Sequence, residues 1–322
     1  MKKEDAQHTM NRLGSERIPF LFVLDYNLAD CYVVPLQDVN EDDVIYDFSG
    51  KSNVIADFQI PQKFTFTKHP IEFEKYKEKF EVVIRNIQYG NSYLTNLTQP
   101  TKVNTSLSLK ELFYAGKAKY KLFFRNRFVV FSPEPFVRIS EGKIYSFPMK
   151  GTIDAEIENA SEILKNDFKE KAEHNTIVDL IRNDLSMVAE NVTVKQFQYI
   201  EKIETNCKTL LQMSSEICGD LPDDYLNHLG DILFRLLPAG SITGAPKEKT
   251  CEIINEAEGY DRGFFTGVCG LFDGRELESA VMIRFFENTP DGMICKSGGG
   301  ITCFSNAEKE YQEMVDKVYV PV

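Results

Sequence analysis

Apolar and polar positions along this chain fall into two periods. Unbroken apolar blocks at 19–24 and 31–34 read as short buried strands, and the runs 92–98, 128–131 and 143–147 read as further strands. Between them the spacing lengthens. Tyr76, Phe80, Val83, Ile84 and Ile87 repeat at helical intervals, and Gly90 is placed to stop that helix. From 158 to 185 the pattern is helical again, with Ala172, Ile177, Leu180 and Ile181 on one face. Strands are predicted at 192–200 and 208–217, and helices at 225–236 and 247–257. Further strands follow at 264–272, 280–286 and 293–295, the last running on to 301–304, before a closing helix at 306–318. Strands and helices mix without a regular β-α-β alternation. That predicts an α+β fold with large antiparallel sheets. No repeat, low-complexity linker or composition shift marks a boundary, so 1–322 reads as a single domain.

Several polar groups interrupt this pattern where chemistry could occur. Lys150 follows the run 143–147, and Glu134 closes the run 128–131. An amine and a carboxyl on adjacent strands would supply a nucleophile and an acid. The plainer reading of either is a solvated charge beside a turn. Glu310 and Glu313 lie three apart on the closing helix, and Glu173 lies on the central one. Oxygen ligands of this kind suit Mg²⁺, although such pairs usually just solvate a helix. Two glycine-rich segments could cradle an anion. One is 238–247, with Thr243 and Gly244, which leads into a helix; the other is Gly298-Gly299-Gly300-Ile301. Arg284, in the otherwise apolar run 281–286, is suited to pair with a carboxylate.

The remaining composition excludes more than it assigns. With 322 residues, 43% apolar and 27% charged, the chain can bury a sizeable core. A net charge of −12 argues against a nucleic-acid partner. No apolar stretch approaches the ~18 residues of a membrane span, and the polar start Met1-Lys2-Lys3-Glu4-Asp5 lacks a signal peptide's apolar core. Seven dispersed cysteines without metal spacing fit a reduced, cytoplasmic setting. Four histidines leave little room for zinc chemistry or a serine triad.

From about residue 72 to the end, the chain resembles the chorismate-utilising enzymes. The resemblance is carried, in that family's order, by 93–99 (YLTNLTQ), 132–136 (SPEPF), 148–152 (PMKGT), 171–184 (KAEHNTIVDLIRND), 241–247 (SITGAPK), 298–301 (GGGI) and 310–313 (EYQE). It implies two large antiparallel sheets packed face to face and flanked by helices, with 1–70 as a shortened N-terminal part of the same sandwich. Lysine before Gly-Thr is the residue of aminodeoxychorismate synthases, where anthranilate synthases typically have alanine; here it is Lys150. Leu94 stands where isochorismate-forming members carry a water-activating lysine. Gln212 stands where the family has a histidine, and the chain has no Trp.

The resemblance therefore implies component I of an aminodeoxychorismate synthase, on the route to 4-aminobenzoate and folate. Anthranilate synthase component I and a non-catalytic chorismate-binding subunit are the alternatives. In the implied mechanism Lys150 attacks C2 of chorismate and Glu134 protonates the departing C4 hydroxyl. Glu173, Glu310 and Glu313 hold Mg²⁺. Arg284, Thr243, Gly244 and the segment Gly298, Gly299, Gly300, Ile301 bind substrate. Ammonia then adds at C4, supplied by a glutamine amidotransferase (glutaminase) subunit. A lysine ordinarily keeps its proton at neutral pH, so such a nucleophile has to be neutralised by burial or charge balance.

Overall fold

The computed structural model describes every residue except 55–57, 59–62 and 205–208. Cys207 and the first residue of the strand expected at 208–217, Lys208, lie outside the described residues. Two antiparallel sheets organise the chain, each nine-stranded among the described residues. In the first, Thr209–Asp220 pairs along one edge with Lys143–Ser146 and then Met149–Asp154, and along the other with Glu190–Glu204. Pro135–Ser140, Leu277–Val281, Val268–Phe272, Phe20–Leu24 and Cys31–Pro35 complete its order. In the second, Leu94–Thr105 and Gly292–Ile301 lie side by side over eight paired positions, from Ile294 opposite Lys102 to Ile301 opposite Thr95. Phe285–Thr289, Phe128–Ser132, Tyr120–Phe124 and Val44–Phe48 follow.

The unbroken apolar blocks have a structural cause. Phe20–Leu24 is buried throughout, and its side chains alternate between two cores. Phe20, Phe22 and Leu24 face helices Lys3–Ser15, Phe168–Leu185 and Leu229–Leu236 through Met10, Ile181 and Leu233. Leu21 and Val23 point the other way, into a core shared with Phe124, Phe128 and Phe285 of the second sheet. Beyond that sheet, Tyr76, Phe80, Ile253 and Met314 bring helices Phe73–Gln88, Lys247–Glu258 and Ala307–Asp316 against Leu97 and Ile301. The layers therefore run helix, sheet, sheet, helix.

The chain crosses between the sheets at two neighbouring places. Glu134 lies between Phe128–Ser132 of the second sheet and Pro135–Ser140 of the first; Arg284 lies between Leu277–Val281 of the first and Phe285–Thr289 of the second. The crossings are stitched together. Val281 N–H donates to Glu134 O (3.1 Å) and Phe131 N–H to Arg284 O (3.2 Å).

Some expected boundaries move. The polar N-terminus forms the helix Lys3–Ser15, burying Ala6, Met10 and Leu13. The helical stretch 158–185 is two helices, Ala160–Asn166 and Phe168–Leu185, because Asp167 turns extended and caps the second through its side chain on Glu170 N. The strand expected from 264 starts at Val268, and the helix expected from 225 opens as a 3₁₀ turn, Tyr225–His228. No helix among the described residues is long and apolar enough to cross a membrane.

A buried ion pair ties the second sheet to the helix Lys247–Glu258. Arg262 is 2% exposed and donates to both carboxylate oxygens of Glu258, to Ile242 O and to Asn96 O. Glu258 also accepts from Thr98 N and its hydroxyl. Removing one partner strands the other charge without solvent. Arg262→Met is accordingly expected to cost about 3–5 kcal/mol of stability, read as a shifted urea midpoint at unchanged slope.

Candidate active site

Where the crossings meet the glycine strand, the fold leaves a cavity of about 450 Å³. Glu134, Lys150, Glu173, Arg284, Gly298, Gly299, Gly300, Glu310 and Glu313 all line it. The elements differ from those the sequence suggested. Lys150 is the second residue of Met149–Asp154, a separate strand at the edge of the first sheet. Glu134 stands on a crossing, so the pair does not sit on adjacent strands as expected. Arg284 is not inside a strand either. It occupies a left-handed conformation (φ 52°) at the second crossing, a strained backbone that turns it out of the ladder.

Three expected binding residues lie outside the cavity wall. Thr243 is fully buried, and its hydroxyl donates to Ala239 O and Gly240 O. Gly244 pairs with Thr95, so closely that a Cβ there would meet Leu94 O at 1.8 Å. Ile301 points into the core with Tyr76 and Phe80. The loop at 238–247 instead presents Ser241 and Ile242 to the cavity.

The electrostatics are dense. Ser241 donates its hydroxyl to Glu134. Burial pushes the Glu134 carboxyl above its ordinary range, against the pull of Ser241, Lys150 and Arg284. Lys150 Nζ lies 3.9 Å from Glu173 Oε2, with both side chains largely buried. Opposite, a Cβ added at Gly300 would sit 3.1 Å from Lys150 Nζ and 3.0 Å from Leu94 Cδ1. Gly300 thus keeps open the space the amine occupies. Gly300→Ala is expected to displace that amine and slow turnover on the order of 10²-fold with little loss of stability, since an ångström of misplacement suffices; kcat and a melting curve check both parts.

Sequence reasoning missed two cations. Lys317 donates to Gly298 O (2.8 Å) and Glu313 Oε1 (2.5 Å), and burial pushes its pKa down while Glu313 opposes. Its signal was available: it follows Glu313 by four residues, one helical turn. Lys296 is 4% exposed and is held from behind by Arg262 O (2.9 Å) and Glu287 (2.7 Å). Nothing in its local spacing marked it, because its partners are distant in sequence. Gln212, on Thr209–Asp220, also faces the cavity.

The carboxylates suit a hard divalent cation. A Cβ at Gly299 would lie 3.3 Å from Glu313 Oε1, 3.6 Å from Glu310 Oε2 and 3.6 Å from Lys317 Nζ, so both carboxylates and the ammonium that pairs with Glu313 meet at one point of the glycine strand. Among the described residues, no three acidic, histidine or cysteine side chains form an ion site by themselves. A site completed by substrate oxygens and water is what Mg²⁺ commonly takes. The donor set therefore fits that ion.

The model of the chorismate binding enzyme family matches residues 56–322. The chain belongs to that family. This chorismate-binding enzyme is 46% identical over 325 residues to a Haemophilus influenzae protein named as an uncharacterized PabA-like protein, covering 100% of this chain and 99% of that one. It is 34% identical over 261 residues to aminodeoxychorismate synthase component 1 of Salmonella typhimurium, covering 76% of this chain and 56% of the synthase, little more than half its length. Its fold matches MenF, the menaquinone-specific isochorismate synthase of Escherichia coli, with a TM-score of 0.75 at 16% identity, over 98% of this chain and 81% of that one.

Proposed function

We propose that this chorismate-binding enzyme converts chorismate and ammonia to 4-amino-4-deoxychorismate, as component I of an aminodeoxychorismate synthase on a route to 4-aminobenzoate and folate. The observation that carries the reading is the primary amine of Lys150 within the cavity, between Glu173 and Gly300. Similarity to the Salmonella synthase supports it.

The step balances as follows. The neutral Lys150 nitrogen bonds to C2, the C1–C2 double bond moves to C1–C6, the C5–C6 double bond moves to C4–C5, and the C4–oxygen bond breaks. Glu134 gives its proton to that oxygen, which leaves as water. Ammonia then attacks C4, both double bonds return to their original places, and the C2–nitrogen bond breaks to release Lys150. The new ammonium returns a proton to Glu134. One ammonia enters and one water leaves. With lysine on C2, ammonia has only C4 to attack, so 2-amination is excluded. Raising the Glu134 pKa by burial keeps the acid protonated for its task.

Glu310, Glu313 and Glu173 would hold Mg²⁺, which would offset the substrate's negative charge beside these carboxylates. Arg284 and Lys317 face the same space and suit the substrate's carboxylates. A separate glutaminase subunit would supply the ammonia. Mass spectrometry of products from chorismate, Mg²⁺ and ammonium tests the reading. Aminodeoxychorismate is the expected product; anthranilate would overturn it in favour of the sibling synthase, and unchanged chorismate would favour a non-catalytic binding subunit.

A further inference from the structure

Behind the cavity, the helix carrying Glu173 and the strand carrying Lys150 are connected by groups that do not line it. Glu173 and His174 are consecutive on Phe168–Leu185, so they point about 100° apart. Glu173 faces the cavity, while His174, fully buried, turns toward the first sheet. Its Nε2 lies 2.7 Å from Ser215 Oγ. That hydroxyl also accepts from Gln198 N (3.0 Å), on Glu190–Glu204. The Ser215 amide donates to Pro148 O (3.0 Å), two residues before Lys150, and its neighbours Ser214 and Met213 pair with Met149 and Lys150. One serine thus joins the helix carrying Glu173 to the strand carrying Lys150.

The hydrogen inventory fixes the ring's role. His174 Nδ1 is buried without a hydrogen-bond partner among the described residues. If the Ser215 hydroxyl donates to Nε2, only the Nδ1 hydrogen is left unmade; the opposite assignment leaves both the serine hydrogen and the Nδ1 lone pair unmade. The first is the better satisfied. An interior site that tolerates an unpaired polar atom retains it at a cost in stability, which a purely structural residue would not need. An apolar ring would fill the same space beside Phe197.

We propose that His174 is a positioning residue: through Ser215 it fixes the Glu173 carboxylate relative to the Lys150 amine, and so sets the affinity of this site for its divalent cation. This deepens the proposed function and rests on its assignment of Glu173 to the cation. Groups hydrogen-bonded directly to metal ligands change metal affinity by about 10–100-fold when removed, and His174, joined to Glu173 through the helix backbone, is expected at the lower end of that range.

The test measures Mn²⁺ binding by electron paramagnetic resonance in the presence of chorismate, independently of turnover. Wild type is expected to bind. His174→Phe and Ser215→Ala are each expected to weaken binding by about tenfold, the double variant no further than either, and His174→Gln, which can still reach Ser215, to recover most of it. Melting temperatures of His174→Phe should equal or exceed wild type. Equal Mn²⁺ binding by wild type and His174→Phe overturns the positioning role while leaving the cation site intact. Multiplying defects in the double variant would also overturn it, since the two groups would not act as one. Absence of Mn²⁺ binding in wild type, or its persistence in Glu173→Ala, instead removes the cation assignment beneath it.

Discussion

Lys150→Ala is expected to reduce formation of aminodeoxychorismate from chorismate, Mg²⁺ and ammonium on the order of 10³-fold or more. The loss should fall on kcat, because in the proposed step the amine would serve in bond making rather than in holding the ground state. Neither of the other described lysines lining the cavity can substitute. Lys317 is tied to Gly298 O and Glu313, and Lys296 to Arg262 O and Glu287, each by hydrogen bonds that fix its ammonium elsewhere on the wall. The fold should survive, since Lys150 stands on an edge strand held by its own backbone pairing to Met213 and by Met149 opposite Ser214 and Thr152 opposite Gln212. Chorismate affinity, measured by equilibrium binding, should change far less than turnover.

Glu134→Gln is expected to remove about 10²–10⁴-fold of turnover, for a different reason. Glutamine accepts the Ser241 hydroxyl as the carboxyl does but has no proton to deliver to the C4 oxygen. In wild type, activity should fall as pH rises through the raised pKa of Glu134, because the acid form is then lost. That limb should vanish in the variant's residual rate. Wild-type stability should fall over the same rise in pH. A carboxyl whose folded pKa is raised favours folding fully below its ordinary value of 4.5, and this contribution is lost as pH climbs through the folded pKa. Glu134→Gln should therefore melt higher than wild type at neutral pH, with the gap closing in acid. A melting series across pH reads both the sign and the window.

The strands that lie between two cores were the most legible part of the chain. Phe20–Leu24 is apolar at every position because both of its faces are covered, and composition alone reveals that. Glu310, Glu313 and Glu173 were legible as helical carboxylates, since helical spacing fixes their faces. The crossings were not. Val281 to Phe286 reads as one apolar strand, but the ladder breaks over 282–284, where Ile283 N–H donates to Val281 O and Arg284 is left-handed, which no local pattern announces. Thr243 and Gly244 resembled a binding loop by glycine content, yet their close approach serves the strand at Leu94–Thr105. Lys296 owes its position to Arg262 and Glu287, contacts that sequence distance conceals.

The central claim is that Lys150 bonds covalently to substrate. Intact-protein and peptide mass spectrometry after incubation with chorismate and Mg²⁺, with ammonia rigorously excluded, tests it most directly. An adduct on Lys150 equal to chorismate less one water is expected, absent from Lys150→Ala and discharged to aminodeoxychorismate when ammonium is added. Full turnover by wild type on later addition of ammonium, with no adduct at any time and with Lys150→Ala equally active, would contradict it.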